Sequence, residues 1–367
     1  MSSYCNIDDA MSRRRGVVAV LLRWVVGATF LFSGMVKSVD PVGTSIYINK
    51  YLATYALDAL MPLSEIFAVA LGVVEVCLGV LLICGVLRRF TAIVTLVVVA
   101  LFTLVTLLSA TLLPIGECGC FGDAVKLTPL QTLLKNIILL LLSVVVWRSS
   151  RVWEPLSLKA VVVVSLSLLL SLGVNLYALR HLPLVDFLPY KVGTPLYDAV
   201  AAERDAEVIV NILKFRDIAT GDVVIRDASD VECWGDENLE FLEAATMVEG
   251  GGALYDEFRL YDAVGQEHSL SLLARKGRVA LLCVNDATAC DATHRRGLAS
   301  LFSQYPVEGV VVLSCGEHSP LEDVVDITAL EIYSVDAQML RSLIRSDIGV
   351  VVLHDGCVEF KADIRDI

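Results

Sequence analysis

Cys118 and Cys120 flank a single glycine in the polar segment Pro114-Ile-Gly-Glu-Cys118-Gly-Cys120-Phe-Gly122-Asp123, between two long apolar runs. Thiols this close can form only a very small ring. A disulfide in such a ring departs from relaxed geometry, which favours reduction and exchange. A soft metal such as copper(I) or zinc is the competing chemistry for paired thiolates. Two thiolates fall short of a four-ligand zinc site, and residues 1–180 contain no histidine, so no metal is expected. Thiol–disulfide exchange and a static disulfide that pins the loop both remain open.

A third thiol of interest is Cys290, in Ala289-Cys290-Asp291-Ala292-Thr293. The spacing predicts a helix start there, where the helix dipole would lower a thiol pKa, with His294 one turn along to assist. Cys315 ends a neighbouring strand, so a Cys290–Cys315 bond is geometrically plausible. Cys283 and Cys357 read as small core residues, and Cys233 as loop-exposed. His268, His318 and His354 lack metal-ligand spacing and read as surface or turn residues.

Ionisable residues within apolar runs mark either glue between helices or a ligand or proton site. Arg23 lies about 10 Å from the inner edge of the first run at 1.5 Å per residue. Glu75 reaches a similar depth on the second, which predicts an Arg23–Glu75 pair. Lys37 and Glu65 share the other end and are expected to pair, while Lys135 is expected to snorkel outward. No cofactor is evident; a small-molecule or quinone site around Arg23 and Glu75 is a further, weaker option.

These residues are carried by five runs long enough to span about 30 Å of hydrocarbon: Gly16–Val36, Leu63–Ile83, Phe90–Leu113, Leu130–Trp147 and Leu158–Leu179. In lipid each must satisfy its own backbone polar groups, so each is a helix. Arg13, Arg14, Arg15, Arg88, Arg89, Arg148, Arg151 and Lys159 all fall on one side if the spans alternate. That side is cytoplasmic, so residues 1–15 are cytoplasmic and the C-terminal half is extracytoplasmic. Arg23 and the lack of an A-x-A site argue against cleavage of the first run as a signal peptide.

Composition agrees. Of 367 residues, 56% are hydrophobic and 19% charged, with a net charge of −13 and a mean hydropathy of +0.69. Residues 1–180 carry a net +5 and residues 181–367 a net −18. The acidic half argues against nucleic acid as a partner and against an anionic lipid surface. The partners expected are the lipid bilayer and an extracytoplasmic protein.

The pattern Arg23…Gly27-Ala-Thr-Phe-Leu-Phe-Ser33-Gly34…Lys37, then Glu75…Gly79…Gly85…Arg88 and Cys-Gly-Cys-Phe-Gly, resembles the DoxX/MauE superfamily over roughly residues 15–148. The resemblance implies a four-helix membrane domain over 16–148, in the bacterial cytoplasmic (inner) membrane. The MauE branch is implicated in maturing a disulfide-rich periplasmic enzyme subunit, and DoxX-type relatives are linked to sulfur oxidation or redox stress. A thiol-related role is thereby implied. A fifth helix over 158–180 and the large C-terminal half depart from the minimal form.

Residues 181–257 read as a Pro-punctuated linker and a β-rich segment, with a hairpin around Ala219-Thr-Gly-Asp222 and an acidic, poorly patterned stretch after it. From 258 the order is strand, strand (Arg278–Val284), helix (Asp291–Tyr305), strand (Val310–Ser314), helix (Gln338–Arg345) and hairpin (Gly349–Leu353, Cys357–Phe360). That order resembles the thioredoxin-like fold over 258–367. The Cys-x-x-Cys is missing, and Asp347-Ile348 replaces the proline expected before the last hairpin. The fold class expected is therefore a multi-pass α-helical bundle followed by an extracytoplasmic α/β thioredoxin-like domain. Two functions follow: a thiol–disulfide component acting through Cys118 and Cys120, with Cys290 as a relay, or a non-enzymatic, membrane-anchored binding module for an envelope partner.

Overall fold

The computed structural model describes residues 2–111, 119–125, 127–206, 208–218, 223–227, 238–249, 255, 258–304, 309–316 and 330–367; side chains of 2–16, 206, 208–212, 225, 227 and 245–249 are not described. Cys118, Cys233, His318 and the turn at 219–222 lie outside the described residues. The chain divides into two compact units, Met1–Phe187 and Leu188–Ile367.

The first unit is a membrane bundle whose described residues form α1 (Ser2–Val39), α2 (Pro41–Thr54), α3 (Ser64–Cys84), α4 (Arg88–Thr111), α5 (Pro129–Ser149) and α6 (Leu158–Ala178). Among the described residues, five stretches are long and apolar enough to cross a membrane: Val17–Val39, Asp58–Cys84, Arg88–Thr111, Pro129–Ser149 and Leu158–Ala178. They overlap the five predicted spans closely.

Small residues set how near α1 and α3 come. A Cβ on Gly34 would lie 2.5 Å from the Val76 amide nitrogen, and one on Gly79 would lie 2.5 Å from that of Leu31. Without an aqueous hydrophobic effect between helices, such seams allow the close backbone contact on which association depends. Gly85 ends α3 in the left-handed region, with φ 64°, as a helix C-terminus favours. Thr128, Pro129 and Gln131 form a capping box that starts α5. The fifth span is integral to the bundle: Ser171 of α6 bonds Ser38 of α1 at 3.3 Å, and Ser167 bonds Cys77 of α3 at 3.6 Å. Arg88 pairs with Glu154 at 2.7 Å, and the Arg89 guanidinium lies 5.3 Å from the Trp147 ring. The α3–α4 turn and the α5–α6 connection therefore meet at one end of the bundle, as span alternation requires.

Helix α2 is absent from the sequence-based reading, which left 37–62 as a loop. Asp40 caps it by accepting from the Gly43 amide at 2.7 Å, and Pro41 occupies its first turn.

In the second unit the expected linker is folded. Tyr190, Leu196 and Val200 are buried, α7 (Leu196–Ala206) follows, and Gly193 and Thr194 exchange backbone bonds with Val358. A three-stranded antiparallel sheet comprises β1 (Val208–Asp217), β2 (Val223–Asp227) and β3 (Leu239–Glu249), in order β2-β1-β3. Within the acidic stretch expected to lack pattern, Leu239–Glu249 form β3. Its charges meet basic residues across the ladder, with Glu243 against Lys214 at 2.6 Å and Glu240 against Arg216 at 3.6 Å.

The larger sheet has six strands in the order β4-β7-β6-β5-β8-β9. They are β4 (Leu260–Tyr261), β5 (Arg278–Val284), β6 (Val310–Ser314), β7 (Glu331–Val335), β8 (Ile348–His354) and β9 (Cys357–Asp363). Strands β5, β6 and β7 run parallel; β8 is antiparallel to β5. Helices α8 (Ser269–Leu273), α9 (Ala292–Gln304) and α10 (Ala337–Leu343) accompany the sheet. The β8–β9 hairpin turns through Asp355 and Gly356, both at positive φ, as a primed turn requires. Strand β7 is a further parallel strand absent from the sequence-based order.

Candidate functional site in the membrane bundle

The α1–α3 seam brings two charges together inside the bundle. Lys37 Nζ lies 2.9 Å from Glu75 Oε2, and both side chains are almost wholly buried. The Lys37 ammonium also donates to Ser33 Oγ at 2.6 Å and to the backbone carbonyl of Cys120 at 2.6 Å. Ser33 Oγ donates to that same carbonyl at 2.7 Å. All three ammonium protons are thus used, and two donors converge on one oxygen of the cysteine loop.

Glu75 therefore pairs with Lys37, and the expected Arg23–Glu75 pair does not form. The cause is register: a Cβ on Gly85 would lie 2.7 Å from the Arg23 guanidinium, whereas one on Gly34 would meet Glu75 at 2.9 Å. Arg23 is level with the end of α3, ten residues or about 15 Å from Glu75 at 1.5 Å per residue. The expected pairing took the inner ends of the two spans to be level; the first span begins where expected, at Val17, but its Arg23 lies beside Gly85 at the end of α3. Glu65 is exposed in the first turn of α3 and does not meet Lys37; its carboxylate complements the helix N-terminus instead. Lys135 reaches the cysteine loop. Its ammonium sits 4.3 Å from the centroid of the Phe121 ring.

The loop itself is tightly seated. A Cβ on Gly119 would fall 2.5 Å from the Tyr47 ring, so α2 packs directly on the Cys-Gly-Cys glycine. Gly122 has φ 52°, a left-handed conformation that suits glycine. Tyr47 Oη donates to Asp123 at 2.9 Å. Beside this polar cluster lies a cavity of about 290 Å³, whose lining includes Ser33, Lys37, Glu75, Cys120, Tyr47 and Lys135. The contribution of α2 was missed, although Asp40-Pro41 is a legible helix start.

The Cys290 region differs from expectation. Cys290 follows a 3-10 turn, Ala287–Ala289, and precedes the cap Asp291, so it lies just outside α9. Partial burial pushes its thiol pKa up despite the opposing charge of Arg295. The expected lowering by the helix dipole is not realised. The buried His294 ring is engaged by Asp291 Oδ1 at 2.8 Å. Hydrogen bonds from the His294 backbone and ring and from the Thr293 amide lower the Asp291 pKa to about 2. Cys290 and Cys315 are both free thiols, and Cys315 Sγ instead lies 3.6 Å from the Asn285 carbonyl. Cys283 is fully buried, its pKa raised to about 12 by desolvation, which makes it an inert core residue. At the position of the missing proline, the Asp347 carbonyl accepts from the Asn285 and Asp286 amides at 2.7 and 3.1 Å. Among the described residues, no group of three or more His, Cys, Asp or Glu side chains is arranged to hold a metal.

Comparison with known proteins bears on the bundle. Protein TlpB of Flavobacterium psychrophilum is 32% identical over 137 residues, covering 34% of this chain and 34% of that protein. The chain thus matches about a third of the length of this curated relative. No solved structure matches. Residues 15–149, which hold the glycine seam, the Lys37–Glu75 pair and the cysteine loop, match the family described as Methylamine utilisation protein MauE.

Proposed function

We propose that the protein supports extracytoplasmic thiol–disulfide handling through Cys118 and Cys120, from the bacterial cytoplasmic membrane, with its N-terminus inside and its acidic C-terminal unit outside. The observation that carries this reading is the convergence of Lys37 and Ser33 on the Cys120 carbonyl. A buried ion pair adds little net stability over apolar packing, so its value lies in position. Held from beneath by Lys37 and Ser33, the loop keeps a fixed backbone position while a sulfur is presented to a partner. In the reaction proposed, a partner thiolate attacks one sulfur of the Cys118–Cys120 disulfide and the other leaves as thiolate. The partner's second thiol then resolves the mixed disulfide, leaving the loop reduced by two electrons and the partner oxidised.

The larger sheet supports a thioredoxin-like reading of the C-terminal unit, with β6-β5-β8-β9 as its core order and β7, then β4, added beyond β6. With Cys290 raised in pKa and His294 held by Asp291, this unit is better suited to binding a partner than to exchange. That is the second reading of the chain, a membrane-anchored binding module.

The two separate in cells carrying Cys118→Ser/Cys120→Ser. If the loop exchanges, envelope cysteines shift in redox state as they do when the whole protein is deleted. If deletion shifts them and the double variant does not, the binding-module reading holds.

A further inference from the structure

We infer that the cavity behind the cysteine loop binds a bilayer-soluble molecule with an apolar body and an electron-rich oxygen head, the head meeting Lys135. The site stands whether or not the cysteines exchange. Its volume of about 290 Å³ is near the lower end for small-molecule sites, roughly 300–1,000 Å³. Its walls are apolar side chains from four spans, among them Phe30, Leu71, Val99, Phe102 and Leu139. Leu101 lines the cavity and is also 56% exposed on the bundle, so the cavity reaches the lipid-facing surface there.

The polar atoms decide what the head must be. The Lys37 protons are taken by Ser33, Glu75 and the Cys120 carbonyl. Tyr47 Oη donates to Asp123, and Thr106 Oγ1 to the Phe102 carbonyl. Lys135 is different. It stands six residues into α5 against the Phe121 ring; no carboxylate among the described residues pairs with it. The lining thus holds two ammonium groups and one carboxylate. A cation at membrane depth with donors to spare is costly, and a carbonyl or carboxylate oxygen would satisfy it. Both heads share the chemistry; a quinone supplies the first and a fatty acid the second. Arg23 is not part of the lining.

The test uses the full-length protein in lipid nanodiscs with two radiolabelled probes, a short-chain naphthoquinone and oleate, measured by equilibrium binding. Saturable binding of either probe at one per chain is expected, and the probe that binds identifies the head. Lys135→Met weakens that binding by about tenfold or more, a loss of about 1.4 kcal/mol, while Lys135→Arg retains it. Val99→Trp, which fills the wall, weakens it without touching a charge. Absence of saturable binding by both probes, or full affinity in Lys135→Met, overturns the inference.

Discussion

Lys37 has three protons to donate and three acceptors within 2.9 Å. Removing one partner of this buried pair leaves an uncompensated charge, so Lys37→Met or Glu75→Gln is expected to destabilise the bundle by about 3–5 kcal/mol. Replacing both with Met costs much less. Thermal unfolding in detergent checks this, and equal losses in single and double variants would contradict it. Cys290 provides a pH test. Because burial raises its pKa, it stays protonated to higher pH than an ordinary thiol. Its alkylation rate in a variant with that single cysteine should therefore rise with a midpoint above the ordinary value of about 8.5. A midpoint below that value would restore an activated thiol. The candidate residues themselves were legible in the sequence, because ionisable groups and closely spaced thiols stand out in apolar runs. Their pairing was not: Lys37 and Arg23 lie on one helix, and choosing between them for Glu75 needs the α1–α3 register. The glycines at 27, 34 and 79 carry that register, but only once packed.

The close approach of α1 and α3 is the device that places the pair. Gly34→Val puts a branched side chain where a Cβ alone already meets the Val76 backbone. Overpacking of this kind costs about 1–3 kcal/mol, and here it also moves Lys37 away from Cys120. The expected signature is a loop more open to alkylation at Cys120 in reduced protein, even where the bundle still folds. An alkylation rate equal to the parent's would show that the seam does not control the loop. At this scale the long apolar spans were easily read, since hydrocarbon forces helix formation. Shorter elements were not. Helix α2 is brief and partly polar, β3 carries acidic residues whose partners lie on β1, and β7 is five residues completed by β6 and β4. Each depends on a neighbour distant in sequence.

At the scale of the whole molecule, the charge division between residues 1–180 and 181–367 coincides closely with the boundary between the two units at Phe187 and Leu188. Under the proposed topology, single-cysteine variants retaining Cys290 or Cys315 should be labelled in intact spheroplasts by a membrane-impermeant maleimide, once the domain is loosened by mild denaturant. Labelling that requires membrane permeabilisation would invert the orientation. The apolar spans of the first unit were legible in composition, whereas the fold of residues 188–206 was not, because its buried Tyr190 and Leu196 sit among prolines that signal a linker.

The most direct measurement is the thiol state of Cys118 and Cys120 in intact cells, by rapid acid quench, alkylation and peptide mass spectrometry, before and after a pulse of reductant. Thiol–disulfide exchange predicts a mixed population that shifts with the pulse and recovers afterwards. A fully oxidised pair that does not respond would contradict it and leave the loop a structural staple.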